Sequence, residues 1–189
     1  MNLPNKLTVF RIILIPVFMV LLLNFKLYTV AGIVFVIASL TDLADGKIAR
    51  KYGLVTNFGK FADPLADKLL VSAALIGLCV LGMLGTSPVL GAWAAFIIIA
   101  REFVVTGIRL IAAADGKVIA AGMSGKIKTT VQMITIVYIL FSDLIVKIGL
   151  SANISDILAN ILVVISVVMT VYSGAEYIVA NKSLFNTNI

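Results

Sequence analysis

Four aspartates are concentrated in one segment of an otherwise apolar chain. Residues 41–70 read TDLADGKIARKYGLVTNFGKFADPLADKLL, and the carboxylates are those of Asp42, Asp45, Asp63 and Asp67. Residues three or four positions apart lie on the same face of a helix. The spacing therefore predicts two carboxylates on one face of each of two helices. Because the segment between them is short, we expect the two helices to be neighbours and the carboxylates to face each other.

Carboxylates that converge repel one another unless protons or cations neutralise them. The chain has no histidine, and its one cysteine, Cys79, lies in an apolar run, so a Cys/His zinc site and a disulfide framework are excluded. Oxygen ligands favour hard cations such as Mg²⁺ or Mn²⁺. Two such ions about 3.5–4 Å apart would form a clamp suited to phosphoryl chemistry. The pattern therefore predicts an oxygen-liganded site for one or two divalent ions.

Small and basic residues lie between the aspartates. Gly46 and Ala49 leave a notch where a nucleotide could approach the backbone, and Arg50 can donate two hydrogen bonds to a phosphate. Gly59 places a further small residue at the start of the next helix. Any one of these glycines is more simply explained by close packing of membrane helices. As a set, the residues indicate a phosphate ligand beside the metal site.

The composition is that of an integral membrane protein. Hydrophobic residues make up 61% of the 189 residues and charged residues 13%, whereas soluble domains carry about a quarter charged residues. A membrane-spanning helix needs roughly 20 mostly apolar residues, and closed β-barrels show short alternating segments instead. We therefore expect an all-α integral membrane fold of six transmembrane helices. The predicted helices are at about 7–26, 28–51, 59–83, 88–112, 124–147 and 153–180, in a single domain over 1–189. The predicted entry of the first helix is at Asn5.

The basic residues indicate the orientation of these helices. With the N-terminus in the cytoplasm, all lysines and arginines except Lys26 and Lys147 lie at or near the inner side, as the positive-inside rule requires. Both termini and the aspartate segment then face the cytoplasm at the cell membrane. The net charge of +6 indicates contact with anionic membrane lipid or a phosphate ligand. Nucleic acid is a poor partner, because the basic residues do not form a soluble face.

The full pattern is Asp42-x₂-Asp45-Gly46-x₂-Ala49-Arg50-x₈-Gly59-x₃-Asp63-x₃-Asp67. It resembles the signature of the CDP-alcohol phosphotransferase family, with all eight fixed positions present. The resemblance implies a six-helix membrane enzyme, commonly a homodimer, that transfers a substituted phosphate from a CDP-linked donor to an alcohol and releases CMP. It implies that the four aspartates bind two metal ions and that Asp67 is the catalytic base. It also implies nucleotide-binding positions, which are Asp42, Asp45, Gly46, Ala49, Arg50 and Gly59.

Two further stretches indicate the acceptor alcohol. The opening NLPNKLTVFRIILIP and the stretch SGKIKTT at 124–130 resemble the branch of the family that joins CDP-diacylglycerol to sn-glycerol 3-phosphate. That acceptor is doubly anionic and needs a cationic pocket besides the metals. The candidates are Arg101, Arg109, Lys126 and Lys128. Charges within membrane spans are costly and usually functional, whereas snorkelling at the inner boundary is an alternative explanation for the two lysines.

Two alternatives stay open from the sequence. The same chemistry could use another acceptor, such as inositol phosphate, serine or a phosphatidyl lipid. A small cation transporter could use the aspartates as an ion path, but a conduction route needs a continuous polar lining across the membrane. The other predicted spans offer no matching acidic residues at their centres. The sequence therefore favours the hypothesis that the protein is an enzyme.

Overall fold

A computed structural model describes residues 2–51, 57–114 and 122–182, without the side chains of 3, 4, 43–51, 57, 58, 60, 61 and 114. The described residues form six α-helices and one π-helical turn, and no strand. The helices are α1 (Leu3–Met19), which continues into the π-helical turn Val20–Asn24, α2 (Tyr28–Lys51), α3 (Asn57–Val80), α4 (Pro88–Ala114), α5 (Met123–Lys147) and α6 (Ala152–Ala180). The predicted all-helical class is confirmed, with each predicted helix present.

The first helix begins earlier than the sequence pattern predicted. We expected its entry near Asn5 and its first turn near residue 7, but α1 begins at Leu3. The side chain of Asn2 accepts a hydrogen bond from the backbone N–H of Asn5, at 3.2 Å. This contact satisfies one of the N–H groups that every helix start leaves without an intrahelical partner. The polar residue that caps the helix is thus Asn2, three positions before the one expected.

The helices pack so that α1 brings α2 and α3 together. The contacts of α1 with α2 and with α3 are each more extensive than those between α2 and α3. On the other side of the bundle α6 packs against both α4 and α5, and α5 also contacts α2. The expectation that α2 and α3 are direct neighbours therefore holds in a modified form, because α1 mediates most of their association.

The outer surface of the bundle is apolar, and its interior combines an apolar core with several polar side chains. Large apolar side chains such as Ile13, Phe96 and Val164 are exposed on the outside of the bundle. Polar side chains are buried inside it; among the described residues these are Asn5, Thr8, Arg11, Lys128, Gln132, Thr135, Ser155, Ser166, Thr170 and Ser173. Lipid is as apolar as the outward-facing residues, so the outer surface needs no polar cover. The arrangement is that of a helical bundle in a membrane.

Four helical segments are long and apolar enough to cross a membrane. They are Asn5–Asn24, Pro88–Ala113, Met123–Lys147 and Ala152–Ala180, and a shorter apolar stretch runs from Tyr28 to Asp42. The charged residues between positions 42 and 68 interrupt the apolar character of α2 and α3. The chain is thus a multi-pass membrane protein of helical type, while the number of six spans remains a prediction.

Candidate active site

The aspartates of α2 and α3 are held by side chains of α1. Asp42 pairs with Arg11, whose Nη1 lies 2.6 Å from Oδ1 of the carboxylate. Asp63 accepts a hydrogen bond from the hydroxyl of Thr8, at 2.5 Å between Oγ1 and Oδ1. Arg11 is fully buried and Thr8 is buried beside it. The first helix therefore fixes one carboxylate oxygen on each of the two aspartate helices.

The charges of the described aspartates also interact with one another. Asp42 is close enough to both Asp63 and Asp67 for their charges to repel. Repulsion between carboxylates destabilises such a group unless a cation joins it, and the oxygen-only donor set suits a hard divalent ion. Among the side chains that the structure describes, no three metal-ligating groups surround a single point. Asp45, the fourth predicted ligand, lies outside the described side chains.

Most of the predicted nucleotide-binding positions also lie outside the described side chains. The side chains of Ala49 and Arg50, like the surroundings of Gly46, lie outside the description, so their predicted contacts with a nucleotide stay predictions. Gly59 is described and is buried near the start of α3. A small residue at that place is consistent with close approach of a neighbouring group, as the motif predicts.

A second charged cluster joins α4, α5 and α6. The carboxylate of Glu102 accepts hydrogen bonds from Nζ of Lys128 and, at 3.3 Å, from Nη1 of Arg101. Nη2 of Arg101 also donates to the hydroxyl of Ser173, at 3.1 Å. A Cβ on Gly174 would lie 3.1 Å from Cγ of Arg101, so the glycine gives this side chain room to pass α6. Glu102 therefore holds both cations, and Ser173 connects Arg101 to the sixth helix.

A cavity of about 570 Å³ opens between α3, α4, α5 and α6. Its volume is within the range of about 300–1,000 Å³ that is usual for small-molecule sites. Basic side chains from three helices line it, namely Lys68, Arg101, Arg109 and Lys126. Asp67, the predicted base, lines the same cavity. The structure thus brings the predicted catalytic carboxylate and three of the four predicted acceptor-binding cations to one space.

Lys128 differs from the other three predicted cations. It is only 1% exposed, and it lines a separate cavity of about 30 Å³ together with Asp67 and Gln132 rather than the large one. Its ammonium group is bonded to Glu102. A lysine that is buried and paired in this way is placed to orient Glu102 and, through it, Arg101. Its position does not suit direct contact with a ligand in the large cavity.

Arg109 is oriented by an aromatic ring. Its guanidinium carbon lies 5.6 Å from the ring centroid of Tyr177, which is within the usual range of a cation–π contact. Tyr177 packs with Val105 and Ile108 in a small apolar cluster. Arg109 and Tyr177 both line the large cavity. The pair links α4 to α6 at the cavity wall.

Sequence reasoning missed several residues of this site. From the sequence, Thr8 is a weak candidate for the nucleotide end, and Arg11 is a candidate for the acceptor side or an anchor of the first helix. Tyr177 suits helix packing or the membrane interface, and the sequence gives Ser173 no role. The place of Glu176 within an apolar stretch predicts a basic partner on a neighbouring helix, but Glu176 lines the cavity and no ion pair among the described residues includes it. Spacing along one helix carries no signal for any of these contacts, since each crosses between helices.

Comparison with known proteins identifies the class. The sequence profile described as "CDP-alcohol phosphatidyltransferase" matches residues 1–172. The chain therefore belongs to the CDP-alcohol phosphatidyltransferase family, and it is an enzyme of that class. The family is generally dependent on divalent metal ions. Membership confirms the resemblance drawn from the aspartate motif and removes the transporter alternative.

Particular relatives are similar over their whole length. A CDP-diacylglycerol–glycerol-3-phosphate 3-phosphatidyltransferase of Bacillus subtilis is 45% identical, with 99% of this chain and 98% of the relative covered. Relatives with the same name are 38% identical in Rickettsia typhi, over 97% and 99% of the two chains, and 33% identical in Sodalis glossinidius, over 96% of each. These relatives support the branch of the family predicted from the opening and the SGKIKTT stretch.

Proposed function

We propose that this protein transfers the phosphatidyl group of CDP-diacylglycerol to sn-glycerol 3-phosphate, giving phosphatidylglycerophosphate and CMP. The names of its full-length relatives support this choice of donor and acceptor. The structural observation that carries the proposal is the cavity that Asp67 shares with Arg101, Arg109 and Lys126. A base and several cations around one space suit an acceptor with both a hydroxyl and a phosphate.

The metal site proposed for this reaction consists of Asp42, Asp45, Asp63 and Asp67. We assign to it two ions of Mg²⁺ or Mn²⁺, because carboxylate oxygens are the ligands these ions prefer. The repulsion of Asp42 by Asp63 and by Asp67, which a bound cation would relieve, supports the assignment. When bound, the ions would supply positive charge beside the pyrophosphate of the donor. Thr8 and Arg11 would hold Asp63 and Asp42 in position through their contacts from α1.

The reaction at this site needs one proton acceptor. The carboxylate of Asp67 would take the proton from the acceptor hydroxyl as the hydroxyl oxygen attacks the phosphorus of the phosphatidyl group. A new P–O bond forms to glycerol 3-phosphate, and the bond between that phosphorus and the oxygen of CMP breaks. Most of the rate enhancement would come from holding the two substrates in line. Asp67 is suited to this role because it lies in the motif and lines the cavity.

The cations of the cavity would bind the phosphate of the acceptor. Arg101, Arg109 and Lys126 have donors only, which is what a phosphate accepts. Glu102 and Lys128 would act as positioning residues, since they hold Arg101 from one side while Ser173 holds it from the other. Gly46, Ala49, Arg50 and Gly59 would bind the nucleotide together with Asp42 and Asp45, as in the family motif.

The remaining parts of the proposal concern the membrane. We place the protein in the cytoplasmic membrane as one domain over 1–189, with six spans, both termini in the cytoplasm and the aspartates at the inner leaflet. The excess of basic residues on that side supports this orientation. The lipid donor could then keep its acyl chains in the bilayer while its head group reaches the aspartates. We also propose a homodimer, on the basis of the family resemblance alone.

An assay of CMP release tests the proposed function. Purified protein in detergent is supplied with CDP-diacylglycerol, Mg²⁺ or Mn²⁺, and sn-glycerol 3-phosphate, inositol phosphate or serine in parallel reactions. We expect release with glycerol 3-phosphate, little with the other two acceptors, and none after EDTA. Release that favours inositol phosphate or serine would overturn the proposed acceptor and leave the family chemistry intact. Undiminished release in EDTA would overturn the proposed metal site.

A further inference from the structure

Tyr177 presents one of the polar atoms of the large cavity that have no hydrogen-bond partner in the part of the chain that the structure describes. The hydroxyl oxygen of Tyr177 is buried and forms no hydrogen bond among the described residues, and the whole side chain is 8% exposed. Buried polar groups are nearly always hydrogen-bonded, so an orphaned one indicates a missing ligand or water. Because Tyr177 lines the cavity, its partner would come from whatever occupies that space.

Several other polar groups of the cavity wall already have partners. Glu102 accepts from Lys128 and Arg101, and the hydroxyl of Ser173 accepts from Arg101 and donates to the carbonyl of Thr170. The hydroxyls of Thr106, Thr129 and Thr130 donate to backbone carbonyls of their own helices. Asp67 is assigned to the reacting hydroxyl and the metal. The phenol of Tyr177 is therefore a buried hydroxyl of this wall that is available both to donate and to accept.

Glycerol 3-phosphate, the proposed acceptor, contains a group that needs a partner able both to donate and to accept a hydrogen bond. Glycerol 3-phosphate has two hydroxyls, of which one attacks the donor and the other does not react. A phosphate needs donors, which arginine and lysine provide, but a hydroxyl also needs an acceptor for its proton. A tyrosine hydroxyl can fill both roles, whereas Arg101, Arg109 and Lys126 can only donate.

The ring of Tyr177 is fixed before any ligand binds. Val105 and Ile108 pack with it, and the guanidinium of Arg109 lies over its face, 5.6 Å from the centroid. A rigid aromatic side chain with an unpaired hydroxyl can select a ligand hydroxyl without losing conformational freedom on binding. A site built to bond a hydroxyl discriminates against an analogue that lacks it.

We infer that Tyr177 determines acceptor specificity by hydrogen-bonding the unreacting hydroxyl of glycerol 3-phosphate through its phenol oxygen. This inference rests on the proposed function and adds a residue to it. Arg109 would bind the phosphate from the same wall, so that the cation–π pair holds the two halves of the acceptor in a fixed relation. The unreacting hydroxyl distinguishes glycerol 3-phosphate from 3-hydroxypropyl phosphate, which has the same reacting hydroxyl and phosphate.

These two acceptors provide the test. CMP release is measured for the wild type and for Tyr177→Phe with each acceptor. We expect Tyr177→Phe to raise the KM for glycerol 3-phosphate about 3- to 10-fold, the usual effect of one neutral hydrogen bond. It should leave the KM for 3-hydroxypropyl phosphate unchanged, because the bond that the variant loses is absent with that acceptor. In the wild type, 3-hydroxypropyl phosphate should show the higher KM by a similar factor.

The control is Tyr172→Phe, the same change on an exposed residue of α6. It should alter neither KM. Tyr177→Phe keeps the ring and its contacts, so its thermal midpoint and its KM for CDP-diacylglycerol should match the wild type. An equal rise of KM with both acceptors, or no rise with either, would overturn the role of Tyr177 while the proposed function stands. A wild type that uses neither phosphate acceptor would overturn the proposed function and the role of Tyr177 with it.

Discussion

The aspartate cluster and the cationic cavity stabilise buried charges in different ways. Both place charged side chains inside a bundle whose outer surface is apolar. In the aspartate cluster the charges repeat at helical spacing on α2 and α3, and their partners Thr8 and Arg11 come from α1. In the cavity single charges from α4 and α5 meet across helices, as Glu102 does with Lys128. The spacing of the aspartates can be seen in a short segment of the sequence, whereas the contacts of the cavity form only when the helices pack.

The two regions also differ in what their charges need. Carboxylates that face one another have a deficit of positive charge, which a divalent ion can supply. Two cations of the cavity are held by internal partners, Arg101 between Glu102 and Ser173 and Arg109 over Tyr177. Such partners fix the orientation of a cation before its ligand arrives. We therefore expect the aspartate cluster to respond to metal concentration and the cavity to respond to the acceptor.

The largest expected effect is at Asp67, which belongs to both regions. Asp67→Asn keeps the size of the side chain but removes the base, and general-base catalysis contributes about 10²- to 10⁴-fold. We expect kcat to fall by at least that range, with helical content and thermal midpoint retained. The control is Asp143→Asn, an exposed aspartate of α5 outside the large cavity. Substantial turnover by Asp67→Asn would show that Asp67 is not the base. It would also remove the residue that links the aspartate cluster to the cavity in this mechanism.

The second effect concerns stability in the cavity wall. Glu102→Gln leaves the buried ammonium of Lys128 without its counter-charge, and breaking a buried ion pair costs about 3–5 kcal/mol. For a chain of this size that corresponds to a fall in Tm of roughly 6–20 °C, measured by circular dichroism in detergent. The double variant Glu102→Leu with Lys128→Met should recover much of the loss, because it removes both charges. A double variant as unstable as Glu102→Gln would contradict this account.

The third effect separates the acceptor from the donor. Arg109→Ala and Lys126→Ala each remove a cation from the cavity wall, and a hydrogen bond to a charged group is worth about 10- to 100-fold in binding. We expect the KM for glycerol 3-phosphate to rise by that factor, and the KM for CDP-diacylglycerol to change much less. Lys147→Ala at the far end of α5 is the matched control. Equal changes in both KM values would place the two residues outside the acceptor site.

The smallest effect tests the support of the aspartate cluster by α1. Thr8→Val keeps the shape of the side chain but removes the hydrogen bond to Asp63, and loss of such a contact behind a metal ligand typically costs about 10-fold or more in metal affinity. The Mg²⁺ concentration for half-maximal activity should rise by about that factor, while the KM for glycerol 3-phosphate stays unchanged. Thr8→Ser should restore the wild-type value. A rise in the KM for glycerol 3-phosphate without a change in the Mg²⁺ requirement would show that Thr8 supports the acceptor cavity instead of the metal site.

Much of the fold was predictable because it depends on patterns within single helices. Runs of apolar residues predicted all six helices, and the entry of α1 was wrong by a few residues because the capping residue is Asn2 rather than Asn5. Lys128 is a residue whose surroundings such patterns do not predict. Its place near the start of α5 suggested a ligand-binding lysine, but it is buried and paired with Glu102 of α4, where α6 packs against both α4 and α5.

The helical membrane class and the faces on which the aspartates lie follow from the sequence alone, since helix periodicity and transfer into lipid are properties of local segments. The contact of Arg11 with Asp42, 31 positions away, and the position of Arg109 over the ring of Tyr177 follow only from the packing of the helices. The physical reason is that contacts between helices depend on how their side chains fit together. That fit is set by the whole bundle, and no spacing along a single helix records it.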